Sequence, residues 1–186
     1  MRLVVGISGA SGAMYGIRLL EVLRRLEVET HLVLGDTAGQ TIAHETPYQV
    51  AEVEALATRV YPLEDLAAAI SSGSFRTDGM VVAPCSIKSL SGIANSFNDN
   101  LLVRAADVTL KERRKLVLVV RETPLHLGHL RLMTQATELG AVLLPPMPAF
   151  YHKPQTIDDI INQTVGKVLD QFGLEGALFN RWTGIR

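Results

Sequence analysis

The chain has 186 residues, 47% of them hydrophobic, which suits one domain with a buried core and excludes a disordered or fibrous protein. A formal net charge of −1 gives no overall attraction to nucleic acid or an anionic membrane, and no apolar run is long enough to span one. The single cysteine, Cys85, excludes an internal disulfide and fits a reducing compartment. We therefore expect a cytoplasmic protein without a signal peptide.

Strand-like and helix-like patterns alternate along the chain. Apolar runs predict strands at 3–7, 30–34, 79–83, 115–120 and 141–144. Helical periodicity predicts a helix after the first turn and further helices at 37–57 (interrupted near Pro47), 63–71, 87–94, 101–113, 125–139 and 157–172. This order is typical of a single α/β domain over residues 1–186, a Rossmann-like or flavodoxin-like three-layer sandwich with a mostly parallel sheet. Residues 173–186 are interpreted as a C-terminal tail near the active site or a subunit interface.

The turn after the first strand, residues 8–12, contains only serine, glycine and alanine and leads directly into a helix. Such a turn presents backbone N–H groups at a helix N-terminus, a site for an anion and most often a phosphate. Its glycine spacing differs from the dinucleotide fingerprint, so a plain strand–helix connection is the alternative. The hydroxyls of Ser8 and Ser11 favour a ligand, because a bare turn does not need them.

Four further loops are expected at the same edge of the sheet: 35–37, 84–91, 121–124 and 145–153. Ser86 and Ser89 could cap the helix that follows them or hold another part of a phosphorylated ligand. Arg121 could bind a phosphate as a fork while Glu122 orients it or carries a proton; a solvated ion pair is the alternative. The prolines of the last loop predict a fixed presentation of Tyr151, unless that ring merely caps the core.

Other reactive residues carry weaker signals. Cys85 has no histidine or acid in its own loop and is interpreted as lining the site or the core. His126 and His129 share a helix face without a third ligand, so no metal site is predicted. Arg104 and Lys111 lie on one side of a helix, where they could serve one anion, a subunit contact or only a solvated face.

Several motifs, in this order, resemble the flavin prenyltransferase family, the UbiX type that is paired with UbiD-type decarboxylases. They cover nearly the whole chain and comprise Gly6–Ala13, Pro84–Lys88, Arg104–Val108, Leu110–Arg114, Arg121–Pro124, Phe150–Pro154 and Phe179–Trp182.

The resemblance implies transfer of a dimethylallyl group from its monophosphate to N5 and C6 of reduced FMN, with release of phosphate and without a metal. The product, prenylated FMN, would be used by a UbiD-type decarboxylase. The family assembles as a homododecamer, so a homo-oligomer of that size is expected, with no nucleic-acid or membrane partner.

The resemblance also implies roles for individual residues. Those that would hold FMN are Gly9, Ala10, Ser11, Gly35, Ser86, Ile87, Lys88, Ser89 and Arg121. Those that would bind dimethylallyl phosphate are Arg104, Lys111, Tyr151 and Lys167, some of them from a neighbouring subunit. Those expected to take part in catalysis are Ser11, Glu45, Lys111, Glu122, Tyr151 and Trp182.

One position departs from the family pattern. Family members usually carry a serine and a basic residue after the second strand, where this chain has Gly35 and Asp36. Loss of the serine predicts a weaker flavin contact or a bridging water. Asp36 is expected to face outward, because it would repel a phosphate.

Two other functions are kept as alternatives. An FMN-dependent cysteine decarboxylase-like flavoprotein would share the sheet and the flavin site, but that class carries a Pro-x-Met-Asn-type loop and segment 146–150 lacks the asparagine. A flavin carrier without chemistry would leave Lys111, Tyr151 and Lys167 without a role.

Overall fold

The computed structural model describes residues 1–184 and contains one six-stranded sheet. All strand pairs are parallel, in the order β3-β2-β1-β4-β5-β6. The strands are β1 (Arg2–Ile7), β2 (Glu29–Leu34), β3 (Arg59–Tyr61), β4 (Gly79–Cys85), β5 (Lys115–Val120) and β6 (Val142–Leu143). The predicted α/β sandwich with a parallel sheet is confirmed.

Helices cover both faces of this sheet. They are α1 (Ala13–Arg25), α2 (Ala38–Glu45), α3 (Val50–Glu54), α4 (Ile87–Ala94), α5 (Leu101–Lys111), α6 (Leu127–Glu138) and α7 (Ile157–Asp170). The predicted interruption near Pro47 separates α2 from α3. The core has two halves because side chains alternate along each strand. In β1, Leu3, Val5 and Ile7 pack with α1 and α7, whereas Val4 packs with α4 and α5 on the other face.

Two sequence predictions between β2 and β4 are wrong. The helix predicted at 63–71 is only a 3-10 turn at Ala69–Ser71. The Asp65 carboxylate accepts the Ala67 N–H at 3.2 Å, a local bond that competes with helix formation. The strand β3 was not predicted, because it has three residues, lies at the edge of the sheet and lacks a buried apolar run.

The strand order reverses between β1 and β4. The helix that follows β1 covers one face of the sheet, and the helices that follow β4 cover the other. A crevice therefore opens beyond the carboxyl ends of these two strands, the usual ligand position in an open parallel sheet. No helix within residues 1–184 is both long enough and apolar enough to cross a membrane.

Candidate active site

A cavity of about 890 Å³ lies at the carboxyl ends of β1 and β4. Loops 8–11, 35–37 and 121–122 line it, together with the first turns of α4, residues of the α4–α5 connection, the start of α5, and Leu63. Loop 145–153, which was expected to join them, contributes no lining residue among those described. That loop follows the short edge strand β6 and leads to α7, which packs against α1 away from the cavity.

Ser8 joins the two turns that form the floor of the cavity. Its side chain is buried, and its hydroxyl donates to the Pro84 carbonyl at 2.7 Å. The same oxygen accepts the Ser86 N–H at 2.9 Å. Both bonds hold the β1 and β4 turns together, so the Ser8 hydroxyl has a structural role in the cavity that it also lines.

Gly9 is required by a close approach of two loops. A Cβ at this position would lie 1.7 Å from Thr37 Oγ1, closer than two atoms can pack. Thr41 Oγ1 also donates to the Gly9 carbonyl at 3.1 Å. The glycine thus lets the β1 turn pack directly on the start of α2.

The N-terminus of α1 already has an anion, supplied by the chain itself. The Gly12 N–H donates to Glu45 Oε2 at 2.7 Å. Burial alone would raise the pKa of Glu45, but hydrogen bonds from Gly12, Ser11 and Ala13 and the charge of Arg121 together lower it. The helix end at which an anion is predicted therefore holds a carboxylate from α2.

The β4–α4 turn combines capping with a charged rim. Ser86 Oγ accepts the Ser89 N–H at 3.2 Å and donates to Ser89 Oγ at 3.1 Å, so both serines cap α4 as well as line the cavity. Lys88 Nζ lies 2.5 Å from the Asp36 carboxylate across the rim. Asp36, expected to face outward, is exposed yet lines the cavity, and its charge is offset by Lys88.

Cys85, which precedes this turn, is fully buried in the core between the sheet, α4 and α5. Burial raises the pKa of its thiol to about 12. A protonated, inaccessible thiol is no nucleophile, which agrees with its interpretation as a core residue.

Arg121 and Glu122 form the wall at the end of β5. The Arg121 N–H donates to the Cys85 carbonyl at 3.0 Å, which fixes the backbone. The Arg121 side chain lines the cavity and has no hydrogen-bond or ion-pair partner within residues 1–184. Glu122 Oε1 accepts the Thr123 N–H at 3.0 Å. The wall thus offers a guanidinium that makes no direct contact with a carboxylate among these residues, although its charge acts on Glu45; such a group is a good ligand for phosphate.

Every residue assigned to the flavin by resemblance lines this one cavity. Sequence reasoning missed the wall made by Asn95, Phe97 and Asn100. The run of asparagine and aspartate between α4 and α5 was the available signal. Asn100 caps α5, because its side chain accepts the Val103 N–H at 3.0 Å.

All four residues assigned to the donor lie outside the cavity. Tyr151, Lys167 and Trp182 form a separate cluster on the outer face of α7, which we call the α7 cluster. The Tyr151 and Trp182 rings meet edge to face, with centroids 6.1 Å apart. Gln163 Nε2 donates to the Tyr151 hydroxyl at 3.4 Å. None of these residues lines the cavity of its own chain.

Arg104 and Lys111 lie on α5 and also outside the cavity. Arg104 pairs with Asp107 at 2.9 Å and donates to the Ser71 carbonyl at 3.1 Å. Lys111 pairs with Glu112 at 2.5 Å. Lys111 ends α5 just before β5 begins, so it lies at the amino edge of the sheet, opposite the cavity.

The rings of His126 and His129, at the start of α6, lie with centroids 3.6 Å apart and planes tilted by 33°. His126 caps the helix, because its Nδ1 accepts the Gly128 N–H at 3.0 Å. Within the described part of the chain no three His, Cys, Asp or Glu side chains are grouped so that they could hold a metal ion.

Comparisons with known proteins agree with this geometry. The family model described as Flavoprotein matches residues 1–169. The flavin prenyltransferase UbiX of Thauera aromatica is 70% identical over 99% of this chain and 95% of its own length. A crystal structure of AnUbiX (PadA1) in complex with FMN and dimethylallyl pyrophosphate superposes with a TM-score of 0.98 at 55% identity, covering 100% of this chain and 98% of that one.

A dodecameric FMN-dependent UbiX-like decarboxylase from Escherichia coli O157:H7 is 54% identical, with a TM-score of 0.96 and complete coverage of both chains (100% each). The peptidyl-cysteine decarboxylase EpiD shares only the fold, at 12% identity and a TM-score of 0.60 over 78% of this chain and 87% of that one. The chain therefore belongs to the flavin prenyltransferase family of the UbiX type.

Proposed function

We propose that the chain transfers the dimethylallyl group of dimethylallyl monophosphate to N5 and C6 of reduced FMN, giving prenylated FMN and phosphate. The observation that carries this proposal is the match, at a TM-score of 0.98, to a relative that binds FMN and dimethylallyl pyrophosphate. We further propose that a UbiD-type decarboxylase receives the product, and that the reaction takes place in the cytoplasm, which suits a reduced flavin and a lone buried thiol.

The cavity suits a flavin nucleotide in size and in chemistry. Its volume of about 890 Å³ lies within the range of small-molecule sites. The small residues Gly9, Ala10 and Ser11 let a ring approach the backbone, and Arg121 supplies a guanidinium for a phosphate. Reduced FMN would supply the electron-rich ring atoms N5 and C6, which bond to two different carbons of the prenyl group, while the released phosphate takes the proton lost from the ring.

The α7 cluster suits the leaving group and the allylic fragment. When the allylic C–O bond breaks, negative charge grows on the phosphate and positive charge on the carbon fragment. Lys167 and the Tyr151 hydroxyl stabilise the phosphate, with Lys111 and Arg104 as further cations. The faces of Trp182 and Tyr151 stabilise the carbon fragment. Glu45 holds the flavin turn in place through the Gly12 N–H. Glu122 lies beside Arg121 in the cavity lining, where a carboxylate is placed to carry a proton.

The separation of cavity and α7 cluster within one chain leads to a proposal about assembly. We infer that the complete site forms between subunits of a homododecamer, the state of the solved E. coli relative. The α7 cluster of one subunit would lie over the cavity of a neighbour, and Lys111 and Arg104 would reach that site from another copy. Exposed apolar side chains on α6 and in loop 145–153 are available for such contacts; they include Leu127, Leu130, Met147 and Phe150.

The function is tested by the mass of the flavin. We expect anaerobic incubation with reduced FMN and dimethylallyl monophosphate to add one five-carbon unit to the flavin, with equimolar release of phosphate. A parallel reaction with the pyrophosphate tests donor choice. Oxidative decarboxylation of a cysteine peptide would instead support the decarboxylase alternative, and an unchanged flavin would support the carrier.

The shared site is tested by mixing two inactive variants. Arg121→Ala damages the cavity and Lys167→Ala damages the α7 cluster. If each site draws these two residues from different subunits, about a quarter of the sites in oligomers formed from equal amounts of the variants are fully intact. Activity should then recover in proportion. Absence of recovery, with mixing verified by mass spectrometry, would refute the shared site.

A further inference from the structure

The C-terminal tail, residues 178–182, is attached to α7 by one shared carboxylate. The Arg181 guanidinium binds Asp170 through two parallel contacts, Nη2 to Oδ1 at 2.6 Å and Nη1 to Oδ2 at 3.1 Å. Lys167 Nζ lies 3.3 Å from the same Oδ2. Arg181 and Lys167 lower the pKa of Asp170, although burial opposes them. One mostly buried carboxylate thus holds two cations from different segments.

A second attachment point lies one helical turn earlier. Gly166 is buried, and the ring of Phe179 lies directly on its backbone: a Cβ on Gly166 would come within 2.4 Å of Phe179 Cε1. The Arg181 guanidinium is 5.7 Å from the centroid of that ring. The contacts of Phe179 and Arg181 together restrict the conformations that the tail can adopt on α7.

This attachment determines where Trp182 lies. Trp182 follows Arg181 directly and meets the Tyr151 ring edge to face at 6.1 Å. Its side chain is 59% exposed, so packing alone does not fix it. The fork between Arg181 and Asp170 is the adjacent rigid contact, because a bidentate guanidinium–carboxylate pair restricts both position and orientation.

We propose that Asp170 is a positioning residue for the transfer reaction, which fixes Trp182 through Arg181 and aligns the Lys167 ammonium beside it. This inference rests on the proposed function for its kinetic consequence, but the attachment itself does not. Asp170 touches neither donor nor flavin; it acts on two groups that do. The single negative charge of Asp170 is shared between Lys167 and Arg181, so these three side chains together keep a net positive charge that can bind a phosphate.

Asp170 acts on Lys167 and, through Arg181, on Trp182. Loss of its charge is therefore expected to affect donor binding and turnover in opposite directions. Asp170→Asn removes the negative charge that competes with the donor phosphate for Lys167, so KM for dimethylallyl phosphate stays unchanged or falls. The same variant releases the fork, so Trp182 loses its position and kcat falls about tenfold, the scale expected when a positioning contact is lost. General damage to the cluster would instead raise KM.

The chain contains one tryptophan, so fluorescence excited at a wavelength that its four tyrosines do not absorb reports on Trp182 alone. In the full-length protein without flavin or donor, we expect Asp170→Asn to increase acrylamide quenching and to lower the fluorescence anisotropy. Asp158→Asn is the matched control: it lies on the same helix, is 63% exposed and pairs with Arg18 at 3.2 Å, away from the tail. Sedimentation velocity verifies that both variants keep the oligomeric state of the wild type.

Gly166→Ala tests the same idea without changing a charge. The added methyl group displaces Phe179, so quenching should increase and kcat should fall as in Asp170→Asn, with KM unchanged. Asp170→Glu retains the carboxylate, so its acrylamide quenching and its kcat should lie between those of Asp170→Asn and the wild type.

Unchanged quenching and unchanged kcat in Asp170→Asn would overturn the proposal. A raised KM with unchanged kcat in that variant would also overturn it. So would increased quenching and a lowered kcat in the control Asp158→Asn. A wild-type protein that makes no prenylated flavin would refute the proposed function, whereas the fluorescence result would still decide whether Asp170 holds the tail.

Discussion

Replacing Gly35 by serine should strengthen FMN binding. Gly35 lines the cavity at the end of β2, and its N–H donates to the Ile7 carbonyl at 2.8 Å. Its φ lies outside the left-handed region, so an L side chain introduces no backbone strain there. An added Cβ would lie 3.3 Å from Ser8 Cα and 3.8 Å from Gly9 N, which requires a shift of a few tenths of an ångström.

The expected gain in the free energy of FMN binding is that of one hydrogen bond from the new hydroxyl to FMN, reduced by this small steric cost. A net hydrogen bond contributes about 0.5–1.5 kcal/mol, which corresponds to a dissociation constant for FMN lower by about 2- to 12-fold. The steric shift reduces the gain, so we expect a value in the lower half of that range. The added Cβ points toward the β1 turn, beside the residues assigned to the flavin.

The assay is titration of FMN by quenching of flavin fluorescence, with Gly35→Ala as the matched control. Alanine introduces the same Cβ, the same steric shift and the same effect on the unfolded chain, but no hydroxyl. We expect the alanine variant to bind FMN slightly more weakly than the wild type and the serine variant to bind it more tightly. Equal affinities for the two variants, with equal melting temperatures, would refute the reasoning.

Three further predictions concern the floor of the cavity and its neighbours. Ser8→Ala leaves the Ser86 N–H without its partner, so the free energy of unfolding in urea should fall by about 1–3 kcal/mol; an unchanged value would contradict the bridging role. Cys85 should not react with a thiol reagent in the native protein at about pH 8 and should react fully after denaturation, whereas rapid native labelling would contradict its burial. The pKa of Glu45 is lower in the folded chain than in the unfolded one, so its contribution to stability is present above about pH 4.3 and is lost as the pH falls through the lowered folded value. Glu45→Gln should therefore destabilise the protein at neutral pH, with a difference from the wild type that shrinks in acid; a difference independent of pH in a urea-denaturation series would contradict this.

The two errors in the predicted secondary structure have different causes. One is a competing side-chain hydrogen bond, and the other is the position of a short strand at the edge of the sheet. The alanine-rich stretch 63–71 has good helix formers, yet the Asp65 side chain offers the backbone a competing turn. The strand β3 carries no apolar run because it pairs only with β2 and remains largely exposed. The long central strands were predicted correctly because both of their faces are buried.

The sequence by itself determined the α/β alternation, the family and four of the loops that line the cavity, but not the wall made by Asn95, Phe97 and Asn100. It could do so because buried parallel strands require continuous apolar runs, and the turns at their carboxyl ends must meet at one edge. Only the tertiary structure decided how polar groups share partners: Ser8 binds across to the β4 turn, Glu45 caps α1, and Asp170 holds both Lys167 and Arg181. Such pairings join residues from separate segments, and hydrogen-bonding groups of the same type are present at many positions in the sequence. Which of them meet depends on packing in three dimensions, and for this reason the α7 cluster lies outside the cavity of its own chain.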